Sequence, residues 1–305
     1  MNAILEGAGK RALITGSAGF TGRYVVQELR AAGYQVHGIV APGSPVGEGE
    51  FSADLNDRAG LAAVVQQVRP DVVVHLAAIA FVAHGDAEQM YRVNVAGTRN
   101  LLEALAGLAQ PPSAVLLASS ANIYGNTDVG VIDEDVSAAP ANDYAVSKLA
   151  MEYMARLWGD RLPLIIARPF NYTGVGQHEN FLLPKIVAHF RRREPRIELG
   201  NLHVWRDFSD VRMVARSYRQ LLAAPVAATA GRAFNICSGN AYSLGEVLDL
   251  MADIAGYRID VHVNPAFVRA NEVIRLVGDN RRLAGVIGPI DPVPLGDTLR
   301  WMTEA

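Results

Sequence analysis

Arg11-Ala-Leu-Ile-Thr-Gly16-Ser-Ala-Gly19-Phe-Thr-Gly22 decides the fold of this 305-residue chain. A short apolar run ends in a glycine-rich turn, and from Tyr24 to Ala32 the pattern becomes helical. A glycine triplet alone also suits an ordinary loop. Placed after a strand and before a helix, it forms the unit that binds a dinucleotide pyrophosphate. Gly16 takes the tight turn, Gly19 lets the backbone approach the phosphates, and Gly22 allows close packing of helix on strand. The opening turn of the helix, with Phe20 and Thr21, presents its N–H groups to the anion.

Outward from this unit, strand and helix signals alternate. Strands are predicted over Ala12–Thr15, Gln35–Val40, Val72–Leu76, Ala114–Ser119 and Leu164–Ala167, and helices over Gly19–Ala32, Arg58–Val68, Ala87–Ala109 and Tyr144–Trp158. Each strand is a continuous β-branched or Leu-rich run, as when both faces of a parallel sheet are covered. The fold class is therefore α/β, a Rossmann-like doubly wound parallel sheet. After Arg168-Pro169 the pattern loosens. Residues 1–168 are assigned to the NAD(P)-binding domain. Residues 169–305 form a smaller, partly interleaved C-terminal substrate-binding domain, with segments returning to the sheet. There the pattern predicts helices over Leu182–Arg193 and Val211–Leu222, a strand over Ile197–Leu199, and a capping signal in Ser243-Leu-Gly-Glu246.

Tyr144-Ala-Val-Ser-Lys148 sets a phenol and an ammonium on one helix face. A free Tyr ionises near pH ~10, and a cation held beside it draws that value down. The plain alternative is an amphipathic helix with a surface Lys. The place of the motif after a nucleotide-binding amino terminus favours chemistry.

Bulk properties narrow the classes. Half of the residues are hydrophobic and the net charge is −3, which gives no pull toward nucleic acid or acidic membranes. The single cysteine, Cys237, excludes an internal disulfide framework and a multi-Cys metal site, and its apolar setting suits a buried thiol. Neither a signal peptide nor a bilayer-length apolar run is present in the sequence, so a cytoplasmic protein without a membrane partner is expected. His178 and His203 lack metal-ligand spacing, and no metal is expected. Arg191-Arg192-Arg193 reads as the solvated end of a helix rather than a nucleic-acid patch.

With the glycine turn and YxxxK together, the chain resembles the extended short-chain dehydrogenase/reductases that act on nucleotide sugars. Further matching stretches are His75-Leu-Ala-Ala78, Val93-Asn94-Val-Ala-Gly-Thr98, Ala118-Ser-Ser-Ala-Asn-Ile-Tyr-Gly125 and Arg168-Pro-Phe-Asn171. Arg168 through Gln177, Leu199 through Val211 and Arg269 through Asn280 look most like the GDP-4-keto-6-deoxymannose reductases and the neighbouring GDP-mannose 4,6-dehydratases. The resemblance implies a 4-ketoreductase of a GDP-linked 4-keto-6-deoxy sugar, giving GDP-rhamnose or its C4 epimer. An NDP-hexose 4-epimerase with tightly bound NAD is the alternative, and a 4,6-dehydratase a lesser one.

The same resemblance assigns roles. Tyr144 would exchange a proton with the sugar O4, Ser120 would hydrogen-bond that oxygen, and Lys148 would hold the nicotinamide ribose. Leu76, Ala77, Ala78 and Asn94 would border the cofactor, and Asp54-Leu55 would meet the adenine, although Asp54 also suits a helix cap. Asn171 and Asn180 would contact the sugar or a phosphate, and Arg206 and Arg269 the diphosphate. Where dehydratases carry a Glu two residues after the catalytic Thr, this chain has Asn122, an amide that cannot act as a base. An acid closing the second strand would favour NAD. Val40 stands there with no Arg nearby, so NADP(H) is favoured and NAD(H) stays open. Relatives commonly form homodimers through the YxxxK helix and the preceding long one; Leu149, Tyr153 and Leu157 suit that interface or the core.

Overall fold

The computed structural model describes residues 5–80, 86–127, 129–267 and 274–305. Strands β1 (Arg11–Thr15), β2 (Gln35–Val40), β3 (Glu50–Ser52), β4 (Val72–His75), β5 (Ala114–Ala118) and β6 (Leu164–Pro169) run through the first half. Helices α1 (Phe20–Ala31), α2 (Arg58–Val68), α3 (Ala87–Tyr91), α4 (Thr98–Ala106) and α5 (Asp143–Arg156) lie between them. The second half continues with β7 (Asn171–Thr173), α6 (Leu182–Arg191), β8 (Arg196–Leu199), β9 (Trp205–Asp210), α7 (Val211–Ala223), α8 (Val226–Thr229) and β10 (Arg232–Ile236). It closes with β11 (Ala241–Ser243), α9 (Leu244–Ala255), β12 (Asp260–Val263), β13 (Arg275–Leu276), α10 (Arg281–Ile287) and α11 (Leu295–Glu304).

The central sheet has seven strands in the order β10-β6-β5-β4-β1-β2-β3, and every pairing in it is parallel. Side chains alternate across it. Ala12 and Ile14 join the core formed with α1, α7 and α10, whereas Leu13 joins the one formed with α2, α4 and α5. With both faces covered, the strands need the unbroken apolar runs seen in the sequence. From β1 the chain winds outward to β2 and β3, then crosses back to β4 and winds the other way. The crevice outside the carboxyl ends of β1 and β4 is the topological switch point where such sheets bind ligands.

The predicted strands and helices of the first half all form, with two differences. The helix expected over Ala87–Ala109 is built from α3, a π-helical segment at Arg92–Gly97 and α4. The widened turn carries Asn94 inward, and π-turns gather at functional sites. Strand β3 escaped prediction because three residues, Glu-Phe-Ser, show no periodicity. Of the second half, α7, β10 and α10 return to the sheet, while β9 anchors a separate small sheet with β7, β11 and β13. The Ser243–Glu246 capping box is present and opens α9. Leu183, Ile186, Val247, Met251 and Leu299 form the core of this second layer.

Candidate active site

A cleft of about 680 Å³ lies between the glycine turn with the ends of β4 and β5 on one side and β7, α6, Phe208 and Leu276 on the other. Gly16, Gly19, Phe20, Thr21, Gly22, Leu76, Ala78, Ser120, Tyr144, Lys148 and Asn171 all line it. The fold thus brings residues that follow β1, β4 and β5, with others from α5 and β7, to one cleft, although Gly16 and Asn171 lie 155 positions apart in sequence.

The glycine turn suits a dinucleotide. Gly16 has φ +73, and a methyl on Gly22 would overlap the carbonyls of Gly16 and Ser17. No side chain caps the N-terminus of α1 at Gly19, so the first-turn amides are left for an anion. Tyr172 stacks on Phe20 with ring centroids 6.0 Å apart, and its hydroxyl shares a 2.8 Å hydrogen bond with Thr21 Oγ1. Tyr24 donates to the Val175 carbonyl and Arg23 to that of Gly176, so α1 is tied to the loop opposite it.

Tyr144 stands in the first turn of α5, behind an Asn142 cap. Burial raises its phenol above the ordinary value, Tyr172 adds to the rise, and a hydrogen bond with Ser120 opposes it. This reverses the expectation that Lys148 would draw the phenol down. The Lys148 ammonium donates to the Ala118 carbonyl at 2.7 Å and stands 6.0 Å from the Tyr144 ring centroid. Burial pushes Lys148 itself down to about 8, with Glu152 working against the fall. Ser120 caps the short helix Ala121–Tyr124 by accepting from Asn122 N at 3.1 Å, which leaves its own O–H to donate.

Behind this wall lie two buried polar assemblies. His75 bridges Thr15 Oγ1 at 2.6 Å and Thr98 Oγ1 at 2.8 Å, and burial together with the Lys148 charge lowers its pKa to about 3. Asn94 is also fully buried. Its amide accepts from Ile79 N and donates to both Ile79 O and Ser147 Oγ, so it acts on the site by holding the chain around it. In the second assembly Glu152 accepts from Ser119 Oγ and from the Nε and Nη2 of the Arg168 guanidinium. Arg168 also donates to Tyr124 Oη and the Glu134 carbonyl. The Arg168 that opens the substrate loop in sequence is therefore a structural cation that locks β6 to α5.

Other expected residues are placed as follows. Asp54 Oδ1 accepts from the backbone and side chain of Asn56, and it is Asp57 that caps α2. Leu55 is buried against Gly97, and neither it nor Asp54 lines the cleft. Ala77 donates its N–H to Thr15 Oγ1 just outside the lining. Asn180 is exposed near His178, which does line it. Arg206 lies on β9, two residues before the lining Phe208 and on the same strand face. Arg269 lies outside the described residues. Tyr172, Tyr218, Gln177 and Phe181 line the cleft without having been singled out. Tyr218 sits on α7 at core spacing, so its sequence carried no signal. No cluster of His, Cys, Asp or Glu able to hold a metal occurs among the described residues, and no described helix is long and apolar enough to cross a membrane.

Comparison with known proteins agrees with this geometry. GDP-6-deoxy-D-talose 4-dehydrogenase of Aggregatibacter actinomycetemcomitans is 32% identical over 279 residues, covering 90% of each chain. GDP-6-deoxy-D-mannose reductase of Pseudomonas aeruginosa is 32% identical over 302 residues, covering 95% of each. A crystal structure from Burkholderia cenocepacia J2315, provisionally described as an epimerase, superposes with TM-score 0.92 at 55% identity over 98% of both chains. The structure of RMD from Pseudomonas aeruginosa complexed with NADPH superposes with TM-score 0.84 at 30% identity, over 97% of this chain and 98% of that one. Residues 12–237 match the model of one family, and the chain belongs to it: the NAD dependent epimerase/dehydratase family.

Proposed function

We propose that the protein is an NAD(P)H-dependent 4-ketoreductase of a nucleotide-linked 4-keto-6-deoxy sugar, with a GDP-linked hexose as substrate and GDP-rhamnose or its C4 epimer as product. One observation carries this reading. Tyr144, Ser120 and Lys148 meet in the cleft, and no Asp or Glu stands among its described lining residues. Ketone reduction needs a proton donor and a hydrogen bond to the carbonyl oxygen, whereas removing a C5 proton needs a base. Asn122, at the position where a dehydratase would carry its Glu, is in the cleft and is an amide. Two relatives named for GDP-6-deoxyhexose oxidoreduction support the nucleotide and the deoxy sugar.

The bound nicotinamide would supply the hydride. The Tyr144 phenol, whose pKa burial raises, is protonated near neutrality and would give its proton to O4. Ser120, its oxygen already occupied by Asn122 N–H, donates its proton toward the same oxygen. Lys148 would hold the ribose hydroxyls of the nicotinamide half. Asn171 faces the cleft for a sugar or phosphate oxygen, Asn180 stands beside it, and Arg206 and Arg269 would take the diphosphate as guanidinium forks. A 4-epimerase would use the same Tyr144 and Ser120 with retained NAD. A homodimer is also part of this proposal: Val146, Tyr153 and Leu157 are exposed along one face of α5, the last 82% so.

The test is oxidation of NADH and NADPH by purified protein given GDP-4-keto-6-deoxymannose, with the dTDP-linked 4-keto sugar as comparison. Oxidation with the GDP substrate alone is the expected result. No oxidation with either sugar, accompanied by copurifying NAD, would replace the reductase with the epimerase.

A further inference from the structure

The position that normally carries the adenosine-side acid is Val40, at the end of β2. The neighbouring strand brings a carboxylate to the same face of the sheet, beside Gly38 rather than beside Val40, whose register partner is Ser52. Glu50 opens β3 and pairs in parallel register with Gly38, two residues before Val40 and on its face of the sheet. Glu50 Oε1 accepts from Ser17 Oγ at 2.6 Å, and Oε2 accepts from Gly47 N at 2.9 Å. Ser17 is the second residue of the glycine turn, so this bond ties the carboxylate to the phosphate-binding segment. Gly38 makes the approach feasible. A Cβ there would overlap Ser17 Oγ and lie 3.0 Å from Glu50 Oε1.

We propose that Glu50 supplies, from β3, the carboxylate that hydrogen-bonds the adenosine ribose of the dinucleotide and makes the protein prefer NADH to NADPH. A carboxylate accepts from a ribose 2′-hydroxyl, as the β2 acid does in other dinucleotide folds. It repels a 2′-phosphate, which carries close to two negative charges at neutral pH. No Lys or Arg among the described residues pairs with Glu50 to cancel that effect; its carboxylate accepts from the Ser17 hydroxyl and the Gly47 backbone amide. On this proposal the preference runs opposite to the lean toward NADP(H) drawn from Val40 alone. This inference rests on the dinucleotide-binding part of the proposed function and not on the identity of the sugar.

Equilibrium titration of the full chain with NADH and with NADPH, followed by protein fluorescence, tests it without turnover. The wild type should bind NADH at least tenfold more tightly. Glu50→Gln should shrink that ratio at least fivefold, chiefly by tightening NADPH. Equal or tighter binding of NADPH by the wild type would overturn the proposal, whether or not the variant folds. A variant that weakens both dinucleotides equally would also overturn it, leaving Glu50 only a brace for the Gly47 turn. A wild type that shows the NADH preference yet turns over no GDP sugar would sink the ketoreductase reading and leave this one standing.

Discussion

The Asn94 amide donates to the Ser147 hydroxyl at 3.0 Å, and the Ser147 hydroxyl donates in turn to the Tyr144 carbonyl at 2.8 Å. Ser147 is one of the three residues between the phenol and the ammonium of YxxxK, so the π-turn that carries Asn94 fixes the first turn of α5. Asn94→Ala leaves the Ile79 backbone groups and Ser147 without these partners, at a cost of about 1–3 kcal/mol for an unsatisfied buried group. The expected outcome is a lower urea midpoint together with a fall in kcat larger than any rise in KM. An unchanged kcat in a folded variant would remove Asn94 from the positioning of Tyr144.

Tyr144→Phe deletes the proton that the reaction must deliver while keeping the ring. General acid catalysis contributes roughly 10²–10⁴-fold, so turnover should drop by at least that lower bound. Dinucleotide affinity should stay within about threefold, because the phenol is not among the groups facing the phosphates. Ser120→Ala should cost less, since Tyr144 still donates. Steady-state rates and a binding titration on the same preparations separate the two effects, and wild-type turnover in Tyr144→Phe would end the assignment.

Glu152 and Arg168 form a buried two-point ion pair with nitrogen–oxygen distances of 3.0 and 2.7 Å. Removing one partner leaves a charge without compensation, typically at a cost of ~3–5 kcal/mol. Glu152→Gln should therefore lower the denaturation midpoint sharply. Exchanging both for apolar residues of similar size, Glu152→Met with Arg168→Met, should recover part of that loss by removing the stranded charge. A double variant as unstable as the sum of the singles would show that the pair is not coupled.

The glycine turn and YxxxK were legible because both depend on local spacing, and the resulting strand-turn-helix and α5 form where expected. What the sequence hides is long-range. Nothing in Glu-Phe-Ser marks β3, and nothing near Val40 says that a carboxylate ten residues later returns to Ser17. Arg168 looked like part of a substrate loop because its partner, Glu152, lies on another element. The Tyr144 phenol was expected to fall because i and i+4 residues share a face. Burial and the neighbouring Tyr172, both tertiary, decide its direction instead.

Val146, Tyr153 and Leu157 recur along α5 at helical spacing, and each is more than a third exposed. Covering them with the same face of a second copy would bury that stripe without any new element. Sedimentation equilibrium of the wild type should give a dimer, and Leu157→Glu should shift it toward monomer while leaving the helix folded. A monomeric wild type at micromolar concentration would refute the arrangement.

His75 gives a pH dependence whose sign follows from its setting. Burial first, and the Lys148 charge second, lower its pKa from 6.5 to about 3. Between those values the unfolded chain binds a proton at His75 that the folded chain refuses, so stability falls as pH drops through that window. Above pH 6.5 the site contributes no slope. One proton corresponds to at most about 1.4 kcal/mol per pH unit. His75→Gln keeps a polar group between Thr15 and Thr98 but cannot titrate. Its urea midpoint should lie below that of the wild type at pH 7, and the gap should narrow steadily as both are taken to pH 4.5. A gap that stays constant would mean that acid destabilisation comes from other groups and that His75 accepts its proton within the fold.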